Sequence, residues 1–467
     1  MASIREGPAP DGPFDVAIVG AGAVGCAVAR DLTLRGVRCV LIEATPDVGA
    51  GTSKANTAIH HTGFDAKPGT VESELVARGY ELLDRYAARV GIPVATVGAL
   101  MVAWTPEQRD ALAGIQATAA ENGYEQTRPV DLEELYAREP NLGPGAQAAI
   151  EIPGEGIVCP FTTTLAYAIE ALEAGCELVL NAAVASVQPT GGGHQLETAR
   201  GPVRAEYLVN AAGLRSDEID AMLGHSDFTV TPRRGELIVF DKLARGLVNH
   251  VLLPVPTEKT KGVLVSPTIY GNILLGPTAD DIDDKTDRST TADGLAALIS
   301  AGERIVPQLV RHEVTATYVG LRAATEHRDY QLRADPEQRY VCAGGIRSTG
   351  ITGSLAIAEW VRDALANAGL RLSAPNGEGE LRMPNIGEFG ARPYQEAELI
   401  RRQPDYGRIV CFCERVTRGE IDAALGSAIP PTDVDGLRRR TRALMGRCQG
   451  FFCGAEIAAA LEAADGD

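Results

Sequence analysis

The sequence predicts an α/β protein: a Rossmann-like dinucleotide-binding domain, an α+β domain for a small substrate, and a small helical C-terminal module. Three observations carry this prediction. A strand-like apolar run, DVAIV at 15–19, meets Gly20-Ala21-Gly22-Ala23-Val24-Gly25 and leads into helical and then strand-like sequence ending at Glu43. The middle of the chain mixes helical stretches, such as Tyr80 to Val90 and Thr105 to Asn122, with apolar strand-like runs and shows no repeat of 20–50 residues, which excludes a solenoid. Four cysteines crowd into the last stretch of the chain.

Composition bounds the reading. At roughly 150 residues per domain, 467 residues correspond to about three units. Lys and Arg total 44 and Asp and Glu 62, a net charge of −18, which excludes a generic basic nucleic-acid binder and unaided docking on an anionic membrane. The apolar run Val16 to Ala29 is too short to span a bilayer, and MASIREGPAPDGP has no signal-peptide core, so a cytoplasmic protein is expected. Cys26, Cys39, Cys159, Cys176 and Cys342 lie among apolar neighbours, as small hydrophobes do.

In the N-terminal unit, Gly20 permits the tight turn, Gly22 lets backbone approach a pyrophosphate, and Gly25 lets the helix (Ala23 to Leu34) pack on the strand. Ala23 and Val24 open that helix, whose N-terminus suits phosphate. Glu43, closing the second strand (Val37 to Ile42), stands where a carboxylate accepts from ribose hydroxyls. The fingerprint does not separate FAD from NAD; three later segments favour FAD. The polar turn with Thr52, Ser53 and Asn56, continuing through Thr57 and Ala58, can bond the cofactor. The strand YLVN stops at small residues, Ala212 and Gly213 among them, which admit the adenosine half. Gly345, Arg347, Ser348, Gly350, Ile351 and Thr352 lead into a helix (Leu355 to Asn367) whose positive end would stabilise a reduced flavin.

Cys411-Phe412-Cys413 and, 34 residues on, Cys448-Gln449-Gly450-Phe451-Phe452-Cys453 form C-x-C…C-x4-C. Four thiolates complete a 2Fe–2S cluster, whereas structural zinc more often uses C-x2-C; zinc and a degenerate module are the alternatives. Thr417 with Glu420 forms a capping box, and Thr432 with Asp435 reads as a second helix start. Arg415, Arg418, Arg438, Arg439, Arg440, Arg442 and Arg447 are expected to offset the cluster's negative charge or to form a solvated face.

The fingerprint, SKANTAIHHTGFDAKPGT, VNAAGLRSDEI and GIRSTGITGSLAIAEWV together resemble the FAD-dependent glycerol-3-phosphate dehydrogenase and L-2-hydroxyglutarate dehydrogenase branch of the D-amino-acid-oxidase-like flavoproteins, over most of 14–370. RTRALMGRCQGFFC resembles the appended form of the bacterioferritin-associated-ferredoxin 2Fe–2S domain. The resemblance implies an FAD- and 2Fe–2S-containing dehydrogenase of a small anionic alcohol, foremost sn-glycerol 3-phosphate. A 2-hydroxy acid, an amino acid or an opine are the rival substrates; an electron-transfer subunit without its own chemistry, or a cluster-based sensor, are rivals of another class. The family motif NSGVIHAG aligns with Asn56 to Gly63, so His61 matches its His and His60 replaces an apolar residue. A neutral imidazole suits a general base, the alternative being a structural hydrogen bond; His327 is a further candidate. Arg322 in VGLRAAT, with Arg347, would hold the substrate's anion bidentately, the alternative being surface arginines. Val71-Glu72-Ser73-Glu74 would repel a phosphate if it faced the substrate.

The expected division is 14–80, 150–224 and 320–372 for the FAD domain, 81–149 and 225–319 for the substrate domain, 373–407 for a linker or wrapping arm and 408–467 for the cluster module. Electrons would leave through the cluster to a partner protein or quinone-linked acceptor, and only such a partner would bring the chain to a membrane.

Overall fold

The computed structural model describes residues 4–5, 7–9, 12–256, 262–377 and 379–465. Strand β1 (Pro13–Val19), helix α1 (Ala23–Thr33) and strand β2 (Cys39–Ile42) form the expected unit, with α1 ending at Thr33. Parallel to β1 and β2 in the same sheet run Glu177–Val179, Gly201–Asn210 and Tyr340–Gly344, with the ends Leu178–Val179 and Tyr207–Asn210 almost wholly buried and Tyr340–Gly344 buried throughout. Helices α2 (Val71–Val90), α3 (Pro160–Glu173) and α4 (Gly350–Asn367) cover one face: α1 packs on α3 and α4, and α2 on α4. A Cβ at Gly25 would stand 1.9 Å from the Gly20 carbonyl, which explains why this helix start tolerates no side chain.

Helix α2 starts nine residues before the helical stretch read from Tyr80. Thr70 accepts from the Ser73 N–H at 3.2 Å, and Asp329 accepts from the Val71 and Glu72 N–H groups at 2.9 Å each; that second cap comes from distant sequence.

The second sheet runs in the order 280–281, 231–240, 273–276, 264–267, 251–254, 99–103, 148–152 and 128–130, with 314–324 added on 231–240. Its core is Leu100, Val102, Ile238, Phe240, Val265 and Leu275. Three expected divisions move: 80/81 cuts α2, 149/150 cuts the strand Ala148–Ile152, and 319/320 cuts Val314–Ala324. Each continues through the division because its backbone bonds do.

The segment 373–407 lies along the surface. Ser373 and Asn376 donate to the Arg35 and Leu34 carbonyls, Met383 to Val90 and Glu388 to Ile269, and the fully buried Arg392 reaches Glu420 of the module at 3.1 Å. The module holds α5 (Arg418–Leu425), α6 (Val434–Thr441) and α7 (Gly454–Asp465). Thr417 and Glu420 form the expected capping box, but α6 is capped by Asp433 on the Gly436 N–H (2.6 Å) rather than by Thr432.

Five of the seven arginines dock the module on the rest of the chain, and the other two, Arg418 and Arg438, pair within their own helices. Arg440 reaches Asp47 at 2.7 and 2.8 Å and Arg439 reaches it at 2.5 Å, all three side chains being buried. Arg442 pairs with Glu414, bonds Asn272 and lies 4.1 Å over the Tyr270 ring; Arg447 holds Asp241. Arg415, Arg418 and Arg438 pair with Glu388, Asp422 and Asp435.

Removing one partner of a buried pair leaves an uncompensated charge, so Asp47→Ala or Arg440→Ala is expected to cost about 3–5 kcal/mol, read by denaturant unfolding, with faster proteolysis in 373–407. Burial opposes the Asp47 charge, yet Arg440 and Arg439 hold its carboxyl below the usual range. Its contribution is therefore full above about pH 4 and lost as pH falls through the depressed value, and a melting series in acid should show that slope in the wild type and not in Asp47→Asn.

Candidate active site

A cavity of about 530 Å³ opens where β1, β2 and Gly201–Asn210 end. Its lining includes Gly20, Gly22, Ala23, Val24, Glu43, Thr52, Ser53, Asn56, Ala212, Gly213, Arg347, Ser348, Gly350 and Ile351. Glu43 accepts from the Ala21 N–H (2.7 Å) and from the backbone and hydroxyl of Thr45 (2.9 and 2.8 Å); the Ser53 hydroxyl accepts from the Ala23 N–H at 2.9 Å. Both α1 and α4 point N-termini here, and neither N-cap residue spends its own side chain on them. Two positive helix ends, a ribose-facing carboxylate and a side-chain-free turn fit a dinucleotide. Gly25, Gly345 and Thr352 lie outside the lining and act through packing: Thr352 accepts from the His61 N–H at 3.1 Å.

A second cavity of about 150 Å³ shares Thr52, Asn56, Arg347, Ser348 and Ile351 with the first and also takes in Thr57, Ala58, His61, Asp65, Glu155 and Arg322. Strand pairing builds it. Ile59–His60 runs antiparallel to Gly156–Val158 with His60 opposite Gly156, so His61 and Glu155 emerge side by side. Successive strand residues point to opposite faces, which separates the two histidines. His60 turns inward, stacks on Tyr80 at 4.2 Å and bonds the Tyr80 carbonyl at 3.2 Å; burial depresses its pKa. It does not line the cavity, contrary to its candidacy as a base.

His61 faces the cavity between two carboxylates: Nδ1 lies 3.0 Å from Glu155 and Nε2 3.1 Å from Asp65, with the Gly63 N–H a weaker contact at 3.3 Å from Nδ1. Ionised carboxylates only accept, so each ring nitrogen carries a proton, and the Gly63 N–H, which a protonated Nδ1 cannot accept, makes no hydrogen bond to it. Although burial works against the charge, Glu155 and Asp65 push the His61 pKa up to about 10. The ring is thus an imidazolium at neutral pH, not the neutral base expected. Glu155, which also accepts from the Thr62 backbone and hydroxyl at 2.7 Å each, and Asp65 are residues the sequence reading missed. Their signals were a lone acid between two glycines and an acid four residues after His61 in the same segment.

Arg322 donates to the Thr278 carbonyl at 2.6 Å and pairs with no carboxylate among the described residues. Burial, reinforced by Arg233, lowers its pKa to about 10, so it stays a cation. Arg347 lines both cavities but is engaged by Glu72 (3.3 Å) and the Arg328 carbonyl. Glu72 therefore faces neither substrate nor open solvent: it holds Arg347 and accepts from Thr349 at 2.8 Å, while Glu74 is exposed. His327 lies outside both linings and bonds the Asp227 carbonyl at 2.9 Å.

In the module the thiols meet in two pairs, Cys411 with Cys453 and Cys413 with Cys448, and Cys413 also neighbours Cys411. Two thiols for each of two irons is the donor set of a 2Fe–2S cluster. The Phe452, Gly450 and Phe451 N–H groups lower the Cys448 pKa, offering dipoles to a charged sulfur.

Residues 15–364 match the family model described as FAD dependent oxidoreductase. This chain belongs to that family. Residues 409–463 match the BFD-like [2Fe-2S] binding domain, so FAD and a 2Fe–2S cluster are its cofactors. It is 34% identical over 447 residues to a glycerol 3-phosphate dehydrogenase of Caloramator mitchellensis, covering 95% of this chain and 93% of that one. It is 26% identical to one subunit of the anaerobic glycerol-3-phosphate dehydrogenase of Escherichia coli K12, covering 96% and 88%. The dithionite-reduced, FAD-bound L-α-glycerophosphate oxidase of Mycoplasma pneumoniae superposes with a TM-score of 0.73 at 28% identity, over 79% of this chain and 98% of that structure.

The carboxylate clamp on His61 is testable by histidine-selective NMR: a midpoint near 10 in the apoprotein should fall toward about 6.5 in Glu155→Gln. A raised histidine stabilises the fold below its unfolded value, and that contribution is lost as pH rises through the folded one. Melting temperature should accordingly decline more between about pH 6.5 and 10 in the wild type than in His61→Gln.

Proposed function

We propose that this oxidoreductase oxidises the secondary hydroxyl of sn-glycerol 3-phosphate. The observation that carries the reading is Arg322: a half-buried cation with no carboxylate among the described residues, lining a small cavity that shares residues with the cofactor's. A planar guanidinium binds phosphate oxygens through two N–H groups, and the glycerol-3-phosphate names of full-length relatives favour that anion.

When bound, FAD accepts the substrate's hydride and the cluster supplies one-electron transfer. The protein handles the anion and the proton. Arg322 holds the phosphate, with Arg347, steadied by Glu72, at the junction of the two cavities. The Asp65–His61–Glu155 group, two carboxylates and one imidazolium, carries one net negative charge and takes the hydroxyl proton as the ketone forms. Asp65 is its accepting member, since both ring nitrogens already donate. Gly20, Gly22, Glu43, Ser53 and the N-terminus of α4 hold the dinucleotide, and the two cysteine pairs hold the irons.

Cys411, Cys413, Cys448 and Cys453 would hold the cluster that hands electrons on to a partner protein. The Escherichia coli relative supports this reading, since its name is that of one subunit of an enzyme. No helix of the described residues is long and apolar enough to cross a membrane, and none of the nine cysteines is in a disulfide. Both suit a cytoplasmic protein brought to a membrane by its partner.

Anaerobic addition of glycerol 3-phosphate should bleach the flavin band and then the cluster absorption. Bleaching by L-2-hydroxyglutarate or an amino acid instead would overturn the substrate. Arg322→Ala is expected to lose about 2–5 kcal/mol in kcat/KM. Asp65→Asn should lower kcat by about 10²–10⁴ with KM little changed; steady-state kinetics decide both.

A further inference from the structure

Four cations line the dinucleotide cavity: Arg215, Lys285, Arg288 and Arg347. Three are engaged by carboxylates. Arg215 pairs with Glu218 at 2.8 Å, Arg347 with Glu72 at 3.3 Å, and Lys285 with Asp217 at 2.6 and 2.9 Å and Glu218 at 3.0 Å. Arg288 pairs with none among the described residues. Its charge reaches the Ser53 turn, where it adds to the burial and the Arg439 charge that lower the Lys54 pKa.

Lys285, Thr286 and Arg288 do not come from the Rossmann strands. They lie between the strand Asp280–Asp281 of the second sheet and the helix Ala292–Ile305. The segment is stiffened from within: Asp284 accepts from the Thr286 backbone and hydroxyl (2.7 and 2.6 Å), and Asp287 from those of Ser289 (2.9 and 2.5 Å). Lys285 carries it across to Asp217 and Glu218, in the first turn of the helix Ser216–Met222. Asp217 is itself held by the Val230 N–H at 2.9 Å, so the receiving side is rigid.

We propose that residues 284–289 are a clasp over the bound dinucleotide, with Lys285 as its latch on Asp217 and Glu218 and Arg288 as the cation it brings to the cofactor's phosphates. A pyrophosphate is a dianion, and the fingerprint offers it N–H groups and helix ends but no side-chain charge. Arg288 is the cavity's one cation, among the described residues, without a carboxylate to compete for it. The second domain thereby contributes to holding a cofactor whose fingerprint lies wholly in the first. The inference rests on FAD occupying this cavity.

The test follows FAD release by flavin fluorescence after dilution of the holoenzyme, and FAD affinity by reconstitution. At low salt, K285A should release FAD at least tenfold faster and R288A should bind it at least tenfold more weakly. Added NaCl should speed release from the wild type by a larger factor than from K285A, because it screens the partly exposed latch as well as the Arg288–phosphate attraction that K285A keeps. Release and affinity within twofold of wild type in both variants overturn the clasp. If K285A does not fold, R288A, exposed and making no ion pair, decides by affinity alone. A wild-type protein that takes up no FAD overturns the cofactor assignment itself, and the clasp with it.

Discussion

The Asp47 carboxylate, buried between the guanidiniums of Arg439 and Arg440, is the constraint on which the arrangement of this molecule depends. It lies four residues after Glu43, and its backbone carbonyl accepts from the Thr45 hydroxyl that also bonds Glu43. The loop that shapes the ribose end of the cofactor cavity is thus the loop that receives the cluster module. A charge in that position is stable only while its partners stay, since desolvation of a lone carboxylate is costly. Cofactor domain and cluster module therefore hold a single relative placement. Arg442 on Tyr270 and Arg447 on Asp241 bind the module to the second domain as well.

Within the cavities the governing effect is pairing of charge in low dielectric. His61 sits between two carboxylates and becomes a cation. Arg322 has only carbonyl oxygens and remains a cation in want of an anion. Under the proposed function the two sites divide the work that a hydroxyl-oxidising enzyme needs, proton acceptance on one side and anion binding on the other. Glu72, whose charge looked hostile to a phosphate, spends it on Arg347 and Thr349 instead.

Local signals were legible wherever the interaction that fixes them is local. The Gly20–Gly25 turn, the Thr417–Glu420 capping box and the helical stretch read at Thr105 to Asn122 formed as read, the last as Pro106–Glu121. Failures came where distant residues intervened. Helix α2 starts at Val71 because Asp329 caps it. His60 was attractive as a neighbour of His61, yet strand alternation sends it into Tyr80. The module's arginines looked like counter-charges to a cluster, but the carboxylates of Arg415, Arg439, Arg440 and Arg447 lie in other parts of the chain. Lys285 and Arg288 carry no motif at all.

By itself the sequence determined the fold class and narrowed the cofactors to a dinucleotide and a metal group on four thiolates, because glycine spacing, helix capping and cysteine spacing act through neighbours along the chain. Only the tertiary structure decided which groups are charged and toward what they face. Protonation and ion pairing depend on the desolvation and the partners that folding brings together, here Glu155 beside His61 and Asp47 beside Arg440, pairs 94 and 393 residues apart in the chain.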